Sequence, residues 1–150
     1  MRLTLLAGLV LLTTKLSAQF ALSVPPATPE MFAPGFVSTA MNERDFAISP
    51  DGNEIYFTIS TPKSGFQTIV FSKKSESGWA KPQVAPFAGR FSDLEPAFSM
   101  DGKTLYFASN RPLSGTETKD FDIWKVVRKG NSWDEPENLG LVVNTSSDEF

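Results

Sequence analysis

Residues Asp45 to Phe57 read DFAISPDGNEIYF, and residues Glu95 to Phe107 read EPAFSMDGKTLYF. Set against each other at an offset of 50 residues, six of the thirteen positions are identical: Ala, Ser, Asp, Gly, Tyr and Phe. Asp45/Glu95, Ile48/Phe98 and Ile55/Leu105 keep their chemical character. The correspondence resumes at Trp79-Ala-Lys-Pro82 and Trp133-Asp-Glu-Pro136, now 54 residues apart. Four extra residues therefore lie between the two matches, and the Ser-, Thr- and Gly-rich segment Asn110 to Asp120 is where a longer loop fits. A self-similar period of about 20–50 residues marks an array of stacked supersecondary units.

Each part of the unit has a local reading. Phe46-Ala-Ile48 and Ala97-Phe98 are short apolar runs suited to a first strand. Ser49-Pro-Asp-Gly52 puts Pro, Asp and Gly where a type I turn wants them, and Met100 replaces the Pro in the second copy without excluding that turn. Glu54 to Ile59 and Thr104 to Ala108 form second strands, rich in aromatic and branched residues. Thr68 to Ser72 and Asp122 to Val127 form third strands. Ser77-Gly78 and Gly130-Asn-Ser132 then turn the chain into a fourth strand led by Trp79 or Trp133. Four antiparallel strands per unit, repeated, are the pattern of β-propeller blades; a two-sheet sandwich has similar strands without the repeat. The expected fold is all-β: a partial propeller of two four-stranded antiparallel blades and the start of a third.

Composition narrows the chemistry. The 150 residues contain no cysteine and no histidine, which removes disulfides, thiolate nucleophiles, Cys/His zinc sites and a Ser-His-Asp triad. The lipid-attachment Cys of a lipoprotein signal is absent too. Fourteen Lys and Arg stand against 17 Asp and Glu with no basic stripe, so nucleic acid is not an expected partner. Arg2, the apolar run Leu3 to Leu12 and the small residue Ala18 before Gln19 read as a secretory signal peptide over residues 1–18. The run is about half the ~20 apolar residues of a membrane span. Cleavage leaves 12 basic and 17 acidic side chains, a net charge of −5, and no span.

Ser-Pro-Asp-Gly-x-x-Ile-Tyr-Phe at 49–57, Phe98 to Pro112 (FSMDGKTLYFASNRP) and Asp122-Ile-Trp124 resemble the WD-like repeat of TolB-type β-propellers. The resemblance covers residues 43–150 and is specific to the repeat rather than to an activity. It implies a protein of the periplasm or cell surface of a Gram-negative bacterium, with blades that in related proteins bind partners or accompany peptidase or peptidoglycan-binding domains. Such rings have six blades, so two and the start of a third read as part of a longer protein. The expected division is signal peptide 1–18, flexible leader 19–29, a strand at 30–41 closing the last blade, blade 1 at 42–92, blade 2 at 93–147 and the start of blade 3 at 148–150. The strand at 30–41 rests on Ala33-Pro-Gly-Phe-Val-Ser38, which resembles the blade-ending Ala85-Pro-Phe-Ala.

The expected function is that of an exported, non-catalytic scaffold contacting an envelope protein or a peptidoglycan-associated partner. The alternative is the propeller part of a secreted hydrolase, acting on glycans or carrying a peptidase domain. Candidate binding residues are the carboxylates before each first strand, Glu43 and Asp45, Asp93 and Glu95, with Asp148 and Glu149 in the third copy. They read either as a ring around one end of the central channel or as partners of turn amides. Arg111 reads as a ligand contact or an ion-pair partner; Trp79 and Trp133 as core or as sugar-stacking surfaces. No cofactor is expected. Asp120, Asp122 and Glu117 offer oxygens of the kind calcium takes, without the dense acidic loop such sites use. Asp51-Gly52 and Asp101-Gly102 read as hairpin turns.

Overall fold

The structure, a computed structural model, describes residues 27–150. The expected signal peptide and most of the leader lie outside the described residues. The chain is all-β and forms two antiparallel sheets of one topology. The first contains β1 (Asn42–Ile48), β2 (Glu54–Ser60) and β3 (Gln67–Ser75), with β4 (Gly78–Trp79) and β5 (Gln83–Val84) both pairing with β3. The second contains β6 (Asp93–Phe98), β7 (Thr104–Ser109) and β8 (Asp122–Lys129), with β9 (Ser132–Trp133) and β10 (Glu137–Asn138) both pairing with β8.

The sequence repeat is a repeat of register. Ala47 faces Tyr56 as Ala97 faces Tyr106, Phe57 faces Val70 as Phe107 faces Trp124, and Val70 faces Val84 as Trp124 faces Asn138. The offset of 50 holds through β1 and β2, and the offset of 54 from β3 onward. The four additional residues lie in the segment 110–121, as expected, and Lys119 donates its N–H to the Asn110 carbonyl (3.1 Å) to tie that loop down.

Both first hairpins close in the same way. Gly52 and Gly102, at φ 71° and 68°, donate their N–H to the carbonyls of Ser49 and Ser99. The hydroxyls of Ser49 and Ser99 accept from the N–H of Glu54 and Thr104 and donate to Asp51 and Asp101. Those bonds hold both Asp carboxyls below the usual carboxylate range and assign Asp51-Gly52 and Asp101-Gly102 to the turn.

Two expectations are corrected. The fourth strand of each unit is not continuous: β4 and β5, like β9 and β10, are separate two-residue strands. Pro82 and Pro136 stand between them, and a residue without an N–H cannot continue the ladder. Residues 30–41 make turns and one isolated bridge, Pro34 to Ser38, rather than a strand. Ala33 and Gly35 are at φ 43° and 75°, outside the extended region, and the Ala33 carbonyl accepts from Phe36 and Val37.

The sheets stack face to face. Tyr56, Ile69 and Ala85 of the first sheet pack with Leu105, Phe107, Trp124, Val126 and Trp133 of the second, with Phe71, Phe87 and Phe98 at the margin. On the opposite side of the first sheet, Ile55, Phe57 and Val70 form a second cluster with Val37, flanked by Ala33, Phe36 and Trp79. In repeat terms, Ile55, Phe57, Val70 and Trp79 are the counterparts of Leu105, Phe107, Trp124 and Trp133. The turn at residues 33–37 thus covers on the first sheet the surface that the first sheet covers on the second.

Candidate functional site at the bulges of the first strands

Both first strands carry a β-bulge, between Arg44 and Ala47 in β1 and between Leu94 and Ala97 in β6. At each bulge a carboxylate residue takes a left-handed backbone: Asp45 and Glu95, both at φ 56°. A side-bearing residue there costs of order 1–3 kcal/mol and re-aims its side chain out of the strand's alternation. The cost recurs at the same repeat position in both sheets. Arg44 joins the two carboxylates, its Nε 2.7 Å from Asp45 Oδ2 and its Nη2 2.9 Å from Glu95 Oε1. The bond to Asp45, aided by both neighbouring charges, raises the Arg44 pKa further. The Glu95 N–H also donates to the Thr58 hydroxyl (3.2 Å), which ties the second first strand to the middle of the first sheet. Beside the carboxylates lies an open cavity of about 400 Å³ walled by Phe46, Pro96, Tyr106 and Phe150.

The other two carboxylates expected on this rim are elsewhere. Asp93 is fully buried and pairs with Arg111 Nη2 at 2.5 Å. Arg111 is buried as well. It donates to Ser109 Oγ (2.8 Å) and the Phe87 carbonyl (3.1 Å) and stacks over Phe107 and Trp124, with its guanidinium carbon 4.9 and 5.4 Å from the ring centres. The pair is an internal tie of the second sheet rather than a ligand contact. Glu43, the repeat counterpart of Asp93, instead accepts from the Thr39 hydroxyl and lines a second cavity of about 430 Å³. In the first two copies the expected ring is therefore a bridged pair plus two separate carboxylates, because the bulge turns residues 45 and 95 away from the side that residues 43 and 93 share. In the third copy, Asp148 accepts from the Phe121 N–H and Glu149 from the Thr145 N–H, so both satisfy local amides.

Trp133 is buried, and its Nε1–H donates to the Tyr56 hydroxyl at 2.8 Å, so its face serves the core and not a sugar. Trp79 is half-buried and borders the 430 Å³ cavity with Phe36, Phe57 and Ile59. Asp122 accepts from Lys119 Nζ (2.8 Å) and Asn138 Nδ2 (2.7 Å), and Asp120 also faces Lys119. A lysine among these oxygens opposes a cation, and no group of three or more metal-ligating side chains gathers among the described residues. Among those residues no helix is long and apolar enough to cross a membrane.

Two features escaped the sequence. The first is Arg44, which stands where the second unit has Leu94; a charge at a position buried in the other copy was the signal. The second is an ionic clasp between the sheets. Arg128 of β8 meets both carboxylate oxygens of Glu54 in β2 (2.9 and 3.2 Å), Lys73 approaches the same carboxylate (3.0 Å), and Arg128 lies 3.9 Å above the Trp133 ring centre. Beneath them the Tyr56 hydroxyl donates to Glu54 (3.3 Å), and burial pushes its pKa up, so it stays protonated. Burial opposes ionisation of Glu54, but the bonds and charges of Arg128 and Lys73 outweigh it and hold the carboxyl below its ordinary 4.5. Stabilisation from a lowered folded pKa is present above the unfolded value and lost as pH falls through the folded one. Glu54→Gln is thus expected to cost about 1–2 kcal/mol at pH 7 and distinctly less near pH 3. Urea melts at the two pH values check this; an equal cost at both would assign the loss to shape rather than charge.

Comparison with protein-family models, curated proteins and solved structures finds no match to this chain.

Proposed function

We propose that the two sheets are neighbouring blades of a TolB-like β-propeller, exported to the bacterial envelope, which acts by binding a protein or peptidoglycan-associated partner rather than by catalysis. The blade reading is supported by two sheets of one register stacked face to face, the Tyr56 face of the first against the opposite, Phe107 face of the second, so that the same contact can recur along the repeat. The binding reading is carried by one observation: Asp45 and Glu95 share the same strained backbone at the bulges of adjacent first strands and are bridged by Arg44. A strained, bridged carboxylate pair suits a basic segment, with Arg44 exchanging its partners for the incoming cation. Export rests on the n-region, apolar run and small residue of positions 1–18.

The test uses the chain without residues 1–18. Co-sedimentation with peptidoglycan sacculi and fluorescence titration with lysine- and arginine-rich peptides are measured beside assays for glycan and peptide hydrolysis. Asp45→Asn with Glu95→Gln is expected to weaken binding at least tenfold while leaving the melting temperature within a few degrees. Turnover of either substrate by the unmodified chain, or binding indifferent to the double substitution, would replace this reading.

A further inference from the structure

The second sheet has one covered face and one bare one. Its covered face, Leu105, Phe107, Trp124, Val126 and Trp133, meets the first sheet. The opposite face carries Tyr106 (37% exposed), Ile123, Lys125, Val127, Leu139 and Leu141 (95% exposed). These residues have counterparts on the first sheet: Tyr106 answers Tyr56, Ile123 answers Ile69 and Leu139 answers Ala85, while Leu141 stands in the turn after Leu139 as Phe87 stands in the turn after Ala85. Every one of those counterparts packs in the contact between the sheets. Tyr56, at the same register position as Tyr106, is buried there against Phe71, Phe98 and Trp133. Phe87 lies 5.0 Å from Phe107 and 6.3 Å from Trp133 between ring centres, while Leu141 meets solvent. An exposed apolar surface of this kind marks an interaction site.

We propose that this bare face is the docking surface for a third sheet of the same repeat, seated on the second sheet as the second is seated on the first. The inference rests on the blade reading above and adds which residues make the contact and how it differs from the existing one. The third sheet presents a quartet of the type Ile55, Phe57, Val70 and Trp79, and its Phe and Trp close over Leu141 as Phe107 and Trp133 close over Phe87. The new contact lacks an ionic clasp, because Thr104 and Val127 stand where the first sheet has Glu54 and Lys73. Lys125 replaces Phe71, and its ammonium is already directed to Glu137 at the sheet margin (3.3 Å), leaving its aliphatic stem on the face. The docking is therefore apolar where the existing one is partly electrostatic. A second unmodified copy of this chain does not fit the role, because its own turn at residues 33–37 already lies over the quartet.

The test extends the full chain with its own residues 47–92. Phe150 answers Phe46, so the junction continues the repeat in register and omits the covering turn. The chain has no native cysteine, so Leu141→Cys in the original part is a clean reporter of the face, and Glu76→Cys, exposed on the first sheet, is the control. Thiol labelling of Leu141→Cys is expected to slow at least tenfold on extension, in low and in high salt alike, with the control unchanged. Phe57→Asp in the appended copy should restore the original rate. Labelling at the original rate, whether the appended segment folds or not, overturns the proposal. So does protection that survives Phe57→Asp. The blade reading fails separately, if Leu141→Cys is protected but small-angle scattering shows a straight stack of sheets instead of a fan.

Discussion

Arg111→Ala is expected to be the most damaging single change, lowering stability by about 3–5 kcal/mol. The reason is what it leaves behind. Asp93 is wholly buried, and Arg111 is the cation that meets it. Removing one partner of a buried pair strands a charge in a medium that cannot solvate it. The guanidinium also stacks over Phe107 and Trp124, so its loss opens a gap beside the inter-sheet core. The pH dependence separates the two losses. Burial pushes the Asp93 carboxyl up and Arg111 pulls against it, so in the variant the folded-state pKa climbs further. A carboxyl with a raised folded pKa favours folding below its unfolded pKa and loses that advantage as pH rises through the folded value. The deficit of Arg111→Ala relative to the parent should therefore be smaller near pH 4 than at pH 7. Denaturant titrations at both pH values test this, and a deficit independent of pH would reduce the pair to packing alone. Replacing both residues, Asp93→Leu with Arg111→Met, should recover much of the loss, since a well-filled apolar pair can match a buried ionic one.

Trp133→Ala follows closely, at about 3–5 kcal/mol. Trp133 is the residue on which the two sheets converge: it touches Tyr56, Phe87 and Phe98, lies under Arg128 and donates its indole N–H to Tyr56. Its removal empties one of the two tryptophan side chains from the shared core and leaves the Tyr56 hydroxyl with one partner fewer. Domains of this size have a total of roughly 5–15 kcal/mol to lose, so thermal unfolding should become broad or vanish at ambient temperature. Trp79→Ala makes the informative contrast. At the same repeat position, half-buried over the first sheet, it should cost distinctly less. Equal losses would mean that residues 33–37 cover their face as tightly as one sheet covers the other.

Much of this architecture was legible in the sequence because it is local. Ser-x-Asp-Gly determines a hairpin through bonds confined to six consecutive residues, 49–54 and 99–104, and the shift of offset from 50 to 54 located the longer loop. What was not legible depends on contacts far apart in the chain. Glu43 and Asp93 occupy one repeat position, yet one meets a threonine hydroxyl and the other is sealed inside with an arginine. The difference lies a strand away, where the second unit has Arg111 to meet Asp93 and the first has Thr61 at the same repeat position, leaving Glu43 to Thr39. Glu54 and Arg128 are 74 residues apart and neither is repeated, since Thr104 and Lys74 hold the equivalent places. The left-handed backbone at Asp45 and Glu95 was hidden for another reason: the apolar/polar alternation of a strand carries no mark of an inserted residue until its pairing partner is known.

The interruption of the fourth strand by Pro82 and Pro136 has a consequence for how such sheets multiply. An uninterrupted outer strand exposes a ladder of N–H and C=O groups onto which any extended chain can add, which is the usual route to fibres. Here the fourth-strand margin offers two-residue stretches separated by a proline, and the first-strand margin is bent by a bulge. Neither margin gives a template long enough to recruit a strand. Growth sideways is discouraged at both ends of each sheet, and crowded copies of this chain have their broad apolar surfaces as the remaining means of adhesion. Aggregates, where they form, should then be amorphous and dissolved by mild detergent, not ordered and dye-binding.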